Sequence, residues 1–364
     1  MMKCKFLFVS TQLEAGGAQV KGVNLAAELR RRGHDAHVWF LYRKRCAFGA
    51  DEQNRCLLPR QPRSPADVVS ILARLSRLIR EQRPDVVVGL AHYASPLSCG
   101  FARLHGVPAR MATQCDRFET FPRLAAWLDW LAGIAGAYTS NIAASDAVRE
   151  SFARFPKAYR CRLSVIYDGI QLRSSALDQR AARDLFSLPQ EVPLLVNVGR
   201  LAVQKNQMHL IRVLQGLPRT HLAILGEGEL RSELQTAIAS MDLAGRVHLL
   251  GEIDPARVPD FLRCGDLFVF PSLHEGFGLA AVEAMQLGLP VVSSNVSPLS
   301  DLIGAAGILL PVSDVATWTN SIFELLADSD RRRELGQRAQ ARAACFSVEL
   351  MADRYEALGR VLGR

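Results

Sequence analysis

What this 364-residue chain lacks narrows it first. A spanning helix needs roughly 18 or more apolar residues with few charges; the longest apolar run, Leu124–Tyr138, is interrupted by Asp129. No transmembrane helix is expected. The N-terminus opens on "KCKFLFVS", with no apolar segment leading to a small-residue cleavage site. The chain is therefore expected to stay in the cytoplasm, at most peripheral on the inner face of the cytoplasmic membrane. Eight cysteines are present but none in a C-x-x-C pair, a pattern of reduced thiols in which structural zinc is not expected. Zinc-finger, RNP-type and basic-zipper patterns are missing as well, so nucleic acid is not an expected partner.

Apolar residues at 49% and charged residues at 22% describe a folded chain, long enough for two cores. The net charge of +8 is uneven: Met1–Leu172 holds 25 Lys+Arg against 14 Asp+Glu, so the basic excess belongs to the front half. Such a half suits an anionic membrane surface or phosphorylated substrates, with a solvated arginine-rich surface as the plainer alternative.

Strand-like runs alternate with helical ones throughout. In the front half they fall at 5–10, 35–41, 85–91, 109–114 and 141–145, with helices at about 18–32, 65–82 and 124–136. In the back half they fall at 193–199, 221–226, 246–251, 267–272 and 290–294. This alternation predicts an α/β protein of two doubly wound, Rossmann-like domains. The expected bounds are 1–170 and 171–345, with a C-terminal helix over about 346–364 packing back on the first domain. Open parallel sheets bind ligands at the carboxyl ends of their strands, so the two are expected to face each other across a cleft.

Four stretches could carry chemistry. In "EAGGAQVKG", Gly16 and Gly17 precede a helix and would let backbone approach an anion; a tight strand-to-helix turn explains them equally. In "NVGRLAVQKNQ", Arg200 and Lys205 would neutralise a departing diphosphate, or be two surface bases. "LGEGEL" places Gly226 in a loop after a strand, a weak signal alone. "HEGFGLAAVEAMQLGLP" surrounds a helix start with Gly276 and Gly278, puts Glu275 at its mouth and Glu283 inside a helix that is apolar on most faces. An ionised carboxylate in such surroundings needs a partner. The hydroxyls of a ribose and a sugar would serve; a favourable first-turn acid and a locally paired base would be the simpler account.

Together these stretches resemble the large family of retaining glycosyltransferases with the GT-B fold (family 4-like, group 1), through "VGRLAVQKNQ", "LGEGELR", "VHLLGEI" and the E-x7-E of Glu275 and Glu283. The resemblance implies transfer from a nucleoside-diphosphate sugar, uridine-linked, to a lipid-linked or polysaccharide acceptor in cell-envelope glycan synthesis. It implies that Glu275, Arg200 and Lys205 act at the reacting centre and that Glu283 holds the ribose. Gly16, Gly17, Gly226, Gly276, Phe277, Gly278 and Leu279 would line the donor, with Glu252 and Ile253 at the base. It implies no metal and no cofactor; the D-x-D at Asp328–Asp330 is read as a helix turn with Ser329 or Asp330 as N-cap.

The chain departs from that pattern in several places. Cys115 and Asp116, on the acceptor side, stand in "TQCDRF" where many members carry a histidine. Gln19 and Asp168 stand where Glu and Asn are frequent, and "NVSPLSDLI" stands where a Gly-Gly pair is common. A non-catalytic nucleotide-sugar-binding subunit is the alternative these departures favour; a sugar-nucleotide epimerase fits the glutamate spacing less well. The stretch "DRFETFPRLAAWLDW" sets Trp127 and Trp130 beside Arg117 and Arg123, which suits docking on an anionic membrane.

Overall fold

The computed structural model describes residues 3–14, 17–44, 54–171 and 174–363. The chain divides into two compact units, Met1–Gln171 with Ser347–Arg364, and Leu172–Phe346.

Unit 1 is built on a seven-stranded sheet in the order β3-β2-β1-β4-β5-β6-β7, every pairing parallel. The strands are β1 (Lys5–Leu13), β2 (Asp35–Arg43), β3 (Asn54–Leu58), β4 (Val86–Leu90), β5 (Ala109–Gln114), β6 (Ser140–Ala143) and β7 (Leu163–Val165). β4 is buried at every residue, as a parallel strand covered on both faces must be. Helices α1 (Gly17–Arg31), α2 (Pro65–Gln82), α3 (Ala94–Leu104) and α4 (Arg123–Ile134) supply the crossovers.

Unit 2 repeats the architecture with six parallel strands in the order β10-β9-β8-β11-β12-β13. These are β8 (Leu194–Val198), β9 (His221–Leu225), β10 (Val247–Gly251), β11 (Leu267–Phe270), β12 (Val291–Ser294) and β13 (Ile308–Leu310). Counted from β8, this is the strand order of a dinucleotide-binding sheet, in which the order of strand addition switches sides between β8 and β11. The loops leaving the carboxyl ends of β8 and β11 therefore lie side by side at this point, where open parallel sheets take their ligands. One expectation is corrected: the helix Ser329–Ala343 is capped by Asp328, whose carboxylate accepts from Arg331 N at 2.9 Å, rather than by Ser329 or Asp330.

The terminal helix Val348–Leu362 packs in unit 1, burying Val348, Met351, Ala352 and Tyr355 against β1 and α1. Gly169 sits where a Cβ would meet the Ser347 carbonyl at 2.4 Å, and its N–H reaches Met351 Sδ at 3.3 Å. Beneath this crossing lies an ion pair between Lys21 and Asp168, their side chains 0% and 5% exposed. Burial pushes the Lys21 ammonium toward deprotonation, but the adjacent Asp168 carboxylate outweighs it and the net shift is upward.

Truncating one partner of a buried pair strands the other charge. Asp168→Ala is expected to cost about 3–5 kcal/mol in urea unfolding. The double variant Lys21→Met, Asp168→Leu is expected to lose less. A single variant as stable as wild type would show that Lys21 carries no buried charge.

Candidate active site in unit 2

β8 ends at Val198, and the chain leaves it through Gly199, Arg200 and Leu201. The loop after β9 lies directly over this exit. Gly199 N–H donates to the Leu225 carbonyl at 3.0 Å, Leu201 N–H to the Glu227 carbonyl at 3.0 Å, and Leu230 N–H back to the Leu201 carbonyl at 3.1 Å. That backbone-on-backbone contact explains Gly226: its φ is +144°, and a Cβ there would lie 2.1 Å from the Gly199 carbonyl oxygen. Gly226 N–H in turn donates to the Gly251 carbonyl at 2.8 Å, drawing in the loop after β10. On that loop Glu252 is exposed and Ile253 half-buried.

The loop after β11 is tied to the same cluster from the other side. Leu273 N–H donates to the Gln204 carbonyl at 2.8 Å, Gln204 Nε2 to the His274 carbonyl at 2.9 Å, and Asn206 Nδ2 to the Pro271 carbonyl at 3.2 Å. These bonds bring Lys205 Nζ to 2.5 Å from Glu275 Oε1 and 5.0 Å from the centre of the Phe270 ring. Glu275 is 6% exposed, so Lys205 is what makes its burial affordable. Arg200 is exposed, and among the described residues it enters no ion pair. Its carbonyl accepts from Gln207 Nε2 at 3.0 Å.

Gly278, at φ +105°, begins the helix Leu279–Gln286 and supplies no side chain to cap it. Helix amides left without a side-chain cap favour an anion. Phe277 is buried with its ring 5.6 Å from that of Phe346, and Gly276 is half-buried beside it. Glu283 is corrected: it lies not in the apolar interior but on the half-open stripe that also carries Leu279 and Ala280, while Ala281, Val282, Ala284 and Met285 are buried. A helical period returns Leu279 and Glu283 to one face. Glu275, Lys205, Gly226, Gly278 and the loop of Glu252 and Ile253 thus share the carboxyl edge of one sheet.

The remaining sequence-derived residues belong to unit 1. Gly17 is exposed at the first residue of α1, and Gly16 lies outside the described residues. Cys115 is half-buried, its Sγ 3.9 Å from Thr113 Oγ1; burial pushes the thiol up to about 12 although Lys21 opposes it, so it is no thiolate at neutral pH. Asp116 is exposed.

Two residues escaped sequence reasoning. His92 follows β4 at the sheet's reversal point, its ring 5.3 Å from Phe121; burial lowers its pKa and Asp116 opposes that. Lys21 stands one helical repeat before the buried Leu25 and Leu29, a spacing that signals an inward lysine in need of an acid.

Each half of the chain matches a family model: residues 178–342 that of "Glycosyl transferases group 1", residues 15–174 that of "Glycosyltransferase Family 4". The chain belongs to this glycosyltransferase family. A D-inositol 3-phosphate glycosyltransferase of Nocardia farcinica is 36% identical over 205 residues, 52% of this chain and 45% of that protein. A 2-deoxystreptamine N-acetyl-D-glucosaminyltransferase of Streptomyces fradiae is 27% identical over 81% of this chain and 76% of its own length. The match thus spans about half of the Nocardia protein and three quarters of the Streptomyces one. Among solved structures, Anabaena HepE in complex with UDP and glucose superposes with a TM-score of 0.85 at 22% identity, covering 99% of this chain and all of that one. WaaG, a lipopolysaccharide glycosyltransferase, superposes at 0.77 and 17% identity, over 98% of this chain and 99% of its own. These superpositions establish the GT-B fold, with its two Rossmann-like domains.

Removing the ammonium while keeping the carboxylate should expose the dependence of Glu275 on its partner. Lys205→Met is expected to destabilise unit 2 by about 1–3 kcal/mol, and Glu275→Gln by less. Urea midpoints for the two variants decide it; equal stability would mean that the pair does not hold the two loops together.

Proposed function

We propose that the protein is a retaining, metal-independent glycosyltransferase that moves a sugar from a UDP-sugar to a lipid-linked or polysaccharide acceptor of the cell envelope. The observation that carries this reading is the Lys205–Glu275 pair, held by interlocked loops at the carboxyl edge of the unit 2 sheet in a chain of this family. Unit 2 would take the donor and unit 1 the acceptor. Lys205 and Arg200 would meet the diphosphate and neutralise the charge that develops as the glycosidic bond breaks. These two cations, Lys205 held by Glu275 and Arg200 exposed, would supply the charge that a divalent metal would otherwise provide. Glu275, with the backbone of Gly276, Phe277 and Gly278, would orient the sugar, and Glu283, on the stripe shared with Leu279, would accept from the ribose hydroxyls. The HepE structures with UDP and with UDP-glucose support a uridine-linked donor. In the front-face mechanism the departing diphosphate takes the acceptor proton, which requires no protein nucleophile.

On the acceptor side, α4 turns an apolar stripe outward: Leu124, Trp127 and Trp130 are 61%, 57% and 39% exposed, beside Arg117 and Arg123. Apolar and basic residues on one surface suit the headgroup region of an anionic membrane. No helix among the described residues is long and apolar enough to cross one. Trp127→Ser with Arg123→Glu is expected to weaken binding to anionic vesicles about tenfold; unchanged binding would remove this surface from the reading.

A second reading, a non-catalytic nucleotide-sugar-binding subunit, is favoured by Cys115, a protonated thiol where the resemblance expects an imidazole. Release of nucleoside diphosphate from UDP-, GDP- and ADP-sugars, with chelator and total membrane lipid present, separates the two. Turnover with one donor is expected, with kcat/KM falling about 10²–10³-fold in Lys205→Ala and in Glu275→Ala. Tight nucleotide binding without turnover across an acceptor panel would favour the second reading, and turnover abolished by chelator would overturn metal independence.

A further inference from the structure

Helices α3 and α4 of unit 1 pack on each other but not along their whole facing surfaces. Between them runs a groove of about 410 Å³ lined by Pro96, Leu97 and Gly100 on one wall and Leu128, Leu131 and Ala132 on the other. At Gly100 there is room to spare: a Cβ built there meets nothing within 4 Å. The volume falls in the range of small-molecule sites, about 300–1,000 Å³. Leu131, 40% exposed, lines the groove and also extends the outward stripe of α4.

One end of the groove is cationic. Arg103 lines it, with its guanidinium against Gly136, where a Cβ would lie 3.0 Å from Nη1. Arg110 and Arg162 stand near: Arg110 donates to the Ala137 carbonyl at 2.8 Å and the Val107 carbonyl at 2.6 Å, Arg162 to the Gly133 carbonyl at 3.2 Å. Burial lowers the pKa of Arg110, and the charges of Arg103 and Arg162 lower it further, so Arg110 lies close to both. None of them forms a salt bridge with an acid among the described residues. A slot that is apolar along its length and basic at one end matches a molecule with a hydrocarbon chain and an anionic head.

We propose that the α3–α4 groove seats one hydrocarbon chain of an anionic membrane lipid, with the lipid phosphate against Arg103. The proposal rests on the membrane-acceptor reading above and deepens it: α4 would lie on the surface while a single chain enters beside it. A lipid-linked acceptor could then be drawn from the bilayer with its polar end held in unit 1.

The test uses the full chain and dodecyl phosphate below its micelle concentration, with dodecanol and inorganic phosphate as separate probes, all by isothermal titration calorimetry. Dodecyl phosphate is expected to bind at least about tenfold tighter than either partial probe. Gly100→Leu, which fills the groove, and Arg103→Ser are each expected to weaken it about tenfold or more. Ala135→Phe fills the same groove from an exposed position and decides the matter if Gly100→Leu does not fold. The variant Trp127→Ser, Arg123→Glu is expected to lose vesicle binding and keep dodecyl phosphate affinity, so failure of the surface and failure of the groove are told apart. Absence of dodecyl phosphate binding, or wild-type affinity in the groove-filling variants, overturns the proposal. Equal affinity for inorganic phosphate also overturns it, since the site would then be one for free anion.

Discussion

A carboxylate taken out of water must be given a partner, and in unit 2 that partner comes from 70 residues away. Glu275 and Lys205 belong to the loops after β11 and β8, the two parallel strands between which the strand order switches. Their pairing requires the loops to meet, and the backbone bonds from Gln204 and Asn206 hold them where they meet. Gly226 and Gly228 serve the same end on the other flank, since any side chain there would push the β9 loop off the carbonyls of Gly199 and Leu201. The site's rigidity thus comes from backbone packed on backbone, and its charges are fixed by that frame. The proposed stabilisation of a leaving diphosphate would use such a frame, because donors already in place cost no reorganisation when charge develops.

Much of this was legible in the sequence. The run "LLVNV" between Pro193 and Gly199 reads as a buried strand, and β5 occupies the six residues that its pattern predicts, Ala109–Gln114. Short elements were not legible. β7 and β13, three residues each, carry too little pattern to stand out, and α3, "ASPLSCGFARL", hides its helical period behind Pro96, two serines and Gly100. Two of these, Pro96 and Gly100, line the groove against α4.

The site was legible as a set of residues and not as a set of contacts. Spacing brought Glu275 and Glu283 under suspicion, yet could not say that one is buried against Lys205 while the other lies on a half-open stripe. The helix Leu279–Gln286 is short and apolar enough that composition alone put Glu283 in apolar surroundings and Glu275 only at the mouth. Only the angular position of residue 283, opposite the buried Ala281 and Met285, decides otherwise. His92 was missed for a related reason: its loop has meaning only once β4 is known to border the reversal of the sheet.

The departures from the family pattern in unit 1 are not independent of one another. Asp168, where the resemblance expects an amide, introduces a negative charge into a buried place, and Lys21 compensates it. Cys115, where it expects an imidazole, lies close enough to this pair to feel both charges. Beside a buried ammonium, a protonated imidazole would be a second positive charge, whereas a thiol held up to about 12 by burial adds none. The replacements at 115 and 168 therefore read as parts of one electrostatic solution around Lys21, in which a single ion pair stands where neutral hydrogen-bonding groups would otherwise be needed. In the proposed transfer, polar contacts to the acceptor would come from other groups of unit 1, and of these His92, beside the exposed Asp116, keeps an imidazole at the carboxyl edge of the sheet.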